Sequence, residues 1–208
     1  GSAQALGFGV LLNVLSFGLL WWGANLLAAS LAIGGTVFYV MVYTKWLKRT
    51  TVQNIVIGGA SGALPPMIGW AAVTGGISIE PVILFAIIFL WTPPHFWALA
   101  LYRSGDYERA GVPMLPVVSG ESSTKKQILI YAIILGPVVV APAFVGMTSM
   151  VGGGILAVLS LWFIYHAVRV YRCTDLDTPK AMFRFSILHL FFIFLTLLGD
   201  HFLAPLFV

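Results

Sequence analysis

Seven apolar segments constrain this chain more than any other feature of its sequence. Each is about 18–22 residues long, the length that an α-helix needs to cross a hydrocarbon core of about 30 Å at about 1.5 Å per residue. Backbone groups in lipid must be hydrogen-bonded within their own segment, so each segment should be a helix. The sequence therefore predicts an all-α, polytopic transmembrane bundle, with residues 1–208 forming a single membrane domain. The segments lie near residues 5–22, 25–43, 54–74, 80–101, 127–147, 152–172 and 184–205.

The composition supports a membrane protein and excludes several other classes. Hydrophobic residues make up 60% of the chain and charged residues only 9%, whereas soluble domains carry about 25% charged residues. The single cysteine excludes a disulfide framework and a thiolate metal cluster. The net charge of +4 is not a nucleic-acid signal, because in a membrane protein the position of the positive charges matters more than their sum. We therefore expect a lipid bilayer around the chain and no nucleic-acid partner.

The lysines and arginines predict the orientation of the bundle. All eleven lie in three gaps, after the second, fourth and sixth apolar segments, and the opposite turns carry none. Positive charges concentrate on the cytoplasmic side of membrane proteins, so the N-terminus and the three basic gaps should be cytoplasmic or on the matrix side. The residues are Lys45, Lys48, Arg49, then Arg103, Arg109, Lys125, Lys126, then Arg169, Arg172, Lys180 and Arg184.

The third apolar segment contains a Gly58-x-x-x-Gly62 pair followed by Pro65-Pro66. One interpretation is close helix packing with a kink at the prolines. The other is a substrate cavity lined by an interrupted helix. The two interpretations are compatible, and the sequence leaves both open.

The first basic gap, YTKWLKRTTVQN, precedes the third segment. Anchoring at the membrane interface accounts for Tyr43, Trp46 and Lys45. Lys48 and Arg49 lie just before a helix N-terminus that Asn54 opens, and amide dipoles there add to their charge. This arrangement predicts an anion site.

The second basic gap, near residues 102–126, mixes charges of both signs. Asp106 and Glu108 lie beside Arg103 and Arg109, which predicts a folded polar cap on the cytoplasmic side. Mg²⁺ typically uses one or two carboxylates and completes its shell with substrate phosphate oxygens, and Asp106 meets that requirement. A surface salt bridge from Asp106 to Arg103 or Arg109 explains the same residues.

His95 lies about two helical turns, roughly 10 Å, inside the cytoplasmic end of the fourth segment. Trp91, His95, Ala98 and Tyr102 share one helical face. A histidine at this depth should face the bundle interior, because contact with lipid is costly. Its ring either donates to a carbonyl freed by Pro93 or Pro94 or contacts a substrate such as haem. On the last segment, a stripe of Ser186, His189, Thr196 and Asp200 should face other helices, with its members pairing with one another as one option.

Two stretches, YTKWLKRTTVQNIVIGGASGALPPMIGWAAVTG and WTPPHFWALALYRSGDYERAGVPMLPV, resemble the protohaem IX farnesyltransferases, also called haem O synthases. These belong to the UbiA-type intramembrane prenyltransferases. The resemblance is dense from Tyr43 to Val117 and looser through FRFSILHLFFIF at residues 183–194. It implies an enzyme of haem A biosynthesis in the bacterial cytoplasmic membrane, with the mitochondrial inner membrane as the alternative. That enzyme transfers the farnesyl group of farnesyl diphosphate to a vinyl group of haem b, with Mg²⁺ as cofactor and haem A synthase as a downstream partner.

The resemblance also implies roles for individual residues. Tyr102 and Asp106 fall on a Y-x-x-x-D motif as catalytic residues, and Asp106 would hold Mg²⁺-diphosphate. The residues implied for diphosphate are Lys45, Lys48, Arg49, Asn54, Arg103 and Arg109. Those expected in the haem and substrate pocket are His95, Trp91 and Trp97.

One departure from the family pattern separates this sequence from a complete enzyme. The family has nine helices and a first N-x-x-x-D motif with a basic R-T-x-x-R-P segment, and that motif is absent from the 208 residues. We therefore expect two further helices upstream, and no activity from this piece alone. A non-catalytic haem-binding membrane module and a membrane transporter remain as alternatives.

Overall fold

The computed structural model describes residues 1–203, and these residues form nine α-helices. A π-helix (Phe38–Thr44) and a 3₁₀ turn (Leu47–Arg49) continue the second helix toward the first basic gap. The α-helices are α1 (Ser2–Gly23), α2 (Leu26–Val37), α3 (Asn54–Gly62), α4 (Pro65–Thr74), α5 (Ile79–Tyr102), α6 (Ser104–Arg109), α7 (Leu115–Phe144), α8 (Met150–Arg172) and α9 (Asp177–Leu203).

The prediction of an all-α bundle with seven spans is confirmed. Within residues 1–203, seven stretches are long and apolar enough to cross a membrane, so the protein is an integral membrane protein. The last predicted segment runs to residue 205, and its final two residues lie outside the described range. The stretches are Ala3–Gly23, Leu26–Arg49, Asn54–Thr74, Ile79–Tyr102, Leu115–Phe144, Met150–Arg172 and Asp177–Leu203.

The helices extend further into the polar gaps than the apolar segments do. α7 begins at Leu115, well before residue 127, and has a kink at Gly120, where φ is 78°. The stretch 102–126, expected as a polar cap, therefore contains α6, an apolar first turn of α7 and the polar residues that follow it. Hydropathy marks the residues that need lipid, and the helical turn before Gly120 is set at an angle to the span by the non-helical backbone of that glycine.

α5, α7, α8 and α9 pack around the main hydrophobic core. Its fully buried side chains include Ile87, Ile128, Leu156, Phe163 and Ile193. α1 differs, because it packs on α2 and exposes apolar side chains along its whole length. Such a surface is compatible with lipid, because the bilayer core contains no water that the apolar side chains would have to avoid.

α9 is attached to the start of α8 at the end of the bundle opposite the basic gaps. The Asp200 carboxylate accepts hydrogen bonds from the Thr148 hydroxyl, at 2.9 Å, and from the N–H and hydroxyl of Ser149. Ser149 also caps α8 by accepting from the Gly152 N–H. The polar stripe on α9 thus bonds to other helices at Asp200, and its members do not pair with one another within the described residues.

Candidate functional site

A charged cleft of about 640 Å³ lies where α5, α6 and α9 meet at the end of the bundle that carries the basic gaps. α6 begins directly after α5 and brings Asp106 beside Tyr102, the last residue of α5. The first turns of α9 form the opposite wall. The lining residues are Tyr102, Arg103, Gly105, Asp106, Lys180 and Arg184.

The Asp106 carboxylate is ion-paired on both sides. Arg103 donates to it at 3.1 Å, and Arg109 donates to its other oxygen. The hydrogen bond from Arg103, followed by that from Arg109, lowers the pKa of Asp106 below the usual aspartate range. The salt-bridge interpretation of Asp106 is therefore correct, and the carboxylate is ionised at neutral pH and half-exposed toward the cleft.

The residues expected to bind diphosphate are only partly brought together. Arg103 lines the cleft, and Arg109 reaches it through Asp106. Lys45, Lys48 and Arg49 are exposed on the neighbouring connection and do not line the cleft. That connection is close, because Ile55 at the start of α3 packs in one small core with Ala100 of α5 and Met114 before α7.

Asn54 is buried at 1% exposure, and its Nδ2 lies 3.5 Å from the Lys48 carbonyl oxygen. Its Oδ1 has no hydrogen-bond partner among residues 1–203. Asn54 therefore contacts the backbone of the first basic gap and does not reach the cleft.

Lys180 and Arg184 line the cleft, although the sequence marked them only as cytoplasmic charges. The two residues are four apart, so they lie on the same face of α9. This spacing was a sequence signal that Lys180 and Arg184 could act at the same place. However, nothing in the sequence alone indicated that the last helix packs beside α5.

His95 forms the link between α5 and α9 just inside the cleft. Its ring stacks on Trp91 with centroids 4.2 Å apart and on Phe183 with centroids 4.6 Å apart. Its Nδ1 lies 2.6 Å from the Ser186 hydroxyl oxygen, so the expectation of a carbonyl partner freed by Pro93 or Pro94 is wrong. The Ser186 hydroxyl donates to the Phe183 carbonyl, which leaves its oxygen to accept from Nδ1–H and leaves a lone pair on His95 Nε2.

An apolar cavity of about 880 Å³ lies on the other side of Trp91. Helices α2 to α5 form most of its wall, and α9 adds Leu190. At this size it lies within the usual range for ligand pockets. Its lining is Ala32, Gly35, Thr36, Tyr39, Tyr43, Ile55, Gly58, Gly59, Ser61, Gly62, Leu64, Pro65, Ile68, Ile88, Trp91, Thr92, Phe96 and Leu190.

Both glycines of the G-x-x-x-G pair line this cavity, and Gly58 also provides close packing. A Cβ at Gly58 would lie within 3.0 Å of three ring atoms of Tyr43, so Gly58 allows close packing. A Cβ at Gly62 would meet nothing within 4 Å, and Gly62 faces the cavity. The chain is interrupted between Gly62 and Pro65, where the prolines begin α4 at the positions that helices tolerate.

The two tryptophans expected in the substrate pocket lie in different places. Trp91 lines the cavity and donates from Nε1 to the Ser186 carbonyl at 3.0 Å. Trp97 is 2% exposed, packs edge-on against Tyr131 of α7 and belongs to the main core. Trp97 therefore stabilises the contact between α5 and α7.

The donor groups of the cleft fit a metal that is completed by its substrate. Within residues 1–203, no group of three or more His, Cys, Asp or Glu side chains could hold a metal ion by itself. Asp106 offers a single ionised carboxylate beside cationic side chains. This matches the sparse requirement of Mg²⁺ when phosphate oxygens supply further ligands.

Comparison with known proteins shows the family of this chain. The model of the UbiA prenyltransferase family matches residues 1–196, and the chain belongs to that family. It is 54% identical over 201 residues to protoheme IX farnesyltransferase 2 of Mesorhizobium japonicum, covering 95% of this chain and 64% of that protein. It is 52% identical over 205 residues to the protoheme IX farnesyltransferase of Parvibaculum lavamentivorans, covering 97% and 64% of the two chains. The chain thus spans about 64% of the length of these relatives. No solved structure shows significant similarity to it.

Proposed function

We propose that the full-length protein is a haem O synthase that joins the farnesyl group of farnesyl diphosphate to a vinyl group of haem b. The observation that carries the proposal is the position of α5 between a charged cleft and an apolar cavity. Tyr102 lines the cleft, Trp91 lines the cavity, and the rings of Phe183 and His95 lie between them. A diphosphate and an apolar chain joined by one C–O bond need two such environments side by side.

The cationic side chains of the cleft stabilise charge on the leaving diphosphate. The C–O bond of farnesyl diphosphate breaks, and its electron pair leaves with the diphosphate next to Arg103 and Lys180. The haem vinyl group attacks the allylic cation and forms the new C–C bond. Water then captures the resulting cation and releases a proton, which gives the hydroxyethylfarnesyl group of haem O. Dry apolar walls around the cation limit its earlier capture by water.

Asp106 is the residue proposed to hold Mg²⁺, which supplies further neutralisation of the diphosphate charge when bound. Lys48 and Arg49, with Lys45, are proposed to approach the diphosphate from the first basic gap, and Asn54 is proposed to support that gap through its contact with the Lys48 carbonyl. Relatives of this chain that carry the name protoheme IX farnesyltransferase support the proposed reaction, and the roles of these residues are proposed from the family motif.

The haem is proposed to lie against the cavity wall at Trp91, with His95 Nε2 behind it. We further propose the bacterial cytoplasmic membrane as the location, with the basic connections on the cytoplasmic side. Haem A synthase, the next enzyme of haem A biosynthesis, is the proposed consumer of the product.

Turnover by the full-length protein tests the proposal. Haem b, farnesyl diphosphate and Mg²⁺ should yield haem O, identified by its mass. Asp106→Ala should lower kcat/KM about 100-fold or more, as expected when a group that stabilises transition-state charge is lost. Glu121→Ala is the matched control, because Glu121 is also ion-paired, to Lys125 at 3.3 Å, but lies outside the cleft.

Two outcomes would contradict the assignment. Haem binding without haem O formation would favour a non-catalytic haem-binding module. Equal activity of Asp106→Ala and Glu121→Ala would remove Asp106 from the site.

A further inference from the structure

Arg184 is a cation of the charged cleft that the two sequence motifs do not include. Three cationic side chains line the cleft: Arg103, Lys180 and Arg184. Arg103 is paired with Asp106 at 3.1 Å and Lys180 with Asp177 at 3.0 Å. Within residues 1–203, Arg184 has no carboxylate partner.

The charge in the cleft favours an anion beside Arg184. Its lining carries three cationic side chains and one carboxylate, Asp106, so the lining charge is 3 − 1 = +2. A guanidinium is always protonated and presents a planar fork of N–H groups that matches two phosphate oxygens at once. An unpaired guanidinium in a cationic cleft is therefore suited to a phosphate group.

The backbone on both sides of Arg184 is fixed to α5. The preceding residue, Phe183, packs against His95 and against Tyr102, with the second pair of ring centroids 6.2 Å apart. Two residues further on, Ser186 contacts His95 through its hydroxyl and Trp91 through its carbonyl. Because the backbone that carries the Arg184 side chain is already held in place, less conformational entropy is lost when the side chain binds a ligand. This favours affinity for the ligand.

A basic residue at a cytoplasmic helix end can serve only to orient the helix in the membrane. That role requires a charge near the interface, but it does not require the residue to line a cleft with Asp106. Arg169, one helix earlier, is an example of the simpler case, because its guanidinium lies over its own neighbour Tyr165 at 5.9 Å and does not line the cleft.

We propose that Arg184 is a further diphosphate-binding residue, so that α9 contributes a second cation to the site beside Lys180. This inference rests on the proposed function, because it names the side chain that binds the leaving group of the same substrate. The guanidinium donates to the terminal phosphate oxygens and stabilises the charge that grows there as the C–O bond breaks.

Binding of inorganic diphosphate with Mg²⁺ to the full-length protein tests this inference without turnover. Arg184→Gln should raise the Kd about tenfold, the usual loss for a charge-assisted hydrogen bond. Arg184→Lys keeps a charge but loses the planar fork, so its Kd should lie between those of the wild type and Arg184→Gln. Arg169→Gln removes an equal charge on the same side of the membrane and should leave the Kd unchanged.

Equal Kd values for Arg184→Gln and Arg169→Gln would overturn the inference. Thermal unfolding in detergent checks that each variant is folded, and Arg184→Lys keeps the inference testable if the glutamine variant is unstable. In steady-state assays, KM for farnesyl diphosphate should rise about tenfold in Arg184→Gln while KM for haem b stays unchanged.

The two proposals fail in different ways. If the wild type binds diphosphate through Arg184 but forms no haem O, the proposed function is wrong and this inference stands. If haem O forms and the Kd for diphosphate does not depend on Arg184, the inference is wrong and the function stands.

Discussion

Individual polar residues on and before α9 determine where that helix begins and what it contacts. The Asp175 carboxylate accepts hydrogen bonds from the Thr178 N–H at 2.7 Å and from the Thr178 hydroxyl at 3.0 Å. It therefore acts as a cap for the first turn of the helix that brings Lys180 and Arg184 to the cleft.

The cap at Asp175 should make stability depend on pH. The hydrogen bonds from the Thr178 N–H, and then from its hydroxyl, lower the pKa of Asp175 in the folded protein. Its contribution is complete above the unfolded-state pKa of about 3.9 and is lost as pH falls through the lower folded-state value. Asp175→Ala should therefore lower the Tm at pH 7, and the difference from wild type should shrink below about pH 4.

Asp175→Asn is the matched control, since it keeps an oxygen acceptor and removes the titration. Its Tm should lie closer to wild type at pH 7, and its pH dependence should be weaker. Thermal unfolding in detergent between pH 7 and pH 3 measures both. A constant difference between wild type and Asp175→Ala over that range would contradict the cap.

The short helices of the second and third spans form most of the wall of the apolar cavity. α3 and α4 are 9 and 10 residues long, whereas α5, α8 and α9 have 24, 23 and 27 residues. The π-helix Phe38–Thr44 brings Tyr43 onto Gly58 at the edge of this wall. Local interruptions thus create a concave surface that continuous helices would fill.

The two glycines of the G-x-x-x-G pair should respond in opposite ways to alanine. Gly58→Ala forces a methyl group into the Tyr43 ring and should destabilise the protein by about 1–3 kcal/mol. Gly62→Ala meets open space and should be neutral or stabilising by up to about 1 kcal/mol, because alanine favours a helix. Chemical unfolding in micelles compares the two variants directly, and equal effects would contradict a packing role that belongs to Gly58 and not to Gly62.

Sequence patterns predicted the membrane spans well, because the hydropathy of a segment measures how strongly its side chains favour lipid over water. They could not predict that α7 begins at Leu115, since its short apolar first turn is separated from the span by the kink at Gly120 and by a polar stretch without a hydrophobic period. Trp91 and Trp97 show the same limit at the site. Both lie on α5, yet only the packing of α7 decides that Trp97 belongs to the core while Trp91 faces the cavity.

His95 gives a sharper example of what sequence could not supply. Its depth and face on α5 followed from helical spacing. Its partner, Ser186, lies 91 residues away and depends on the register between α5 and α9. The presence of Lys180 and Arg184 in the cleft depends on that same register.

The orientation of the whole molecule can be tested through its single cysteine. Cys173 follows α8 directly and lines a cleft with Lys125 and Arg172 on the side of the basic connections. An impermeant maleimide should label Cys173 only after cells are permeabilised, because that side is expected to face the cytoplasm. Any cysteines outside residues 1–208 are replaced by serine for this measurement.

Ser78→Cys in a Cys173→Ser background is the complementary control. Ser78 is exposed in the turn between α4 and α5, at the opposite end of the spans. It should be labelled in intact cells. Labelling of Cys173 in intact cells would reverse the proposed topology.

The two attachments of α9 have a mechanical consequence for the whole bundle. Ser186 fixes it to α5 near the cleft, and Asp200 fixes it to α8 near the other surface, about 21 Å further along at 1.5 Å per residue. Because these two contacts lie far apart on α9, the helix can neither slide nor tilt without breaking one of the contacts. If the cavity widens to admit a ligand, we therefore expect the short helices of the opposite wall to move, while α9 holds its side of the charged cleft in place.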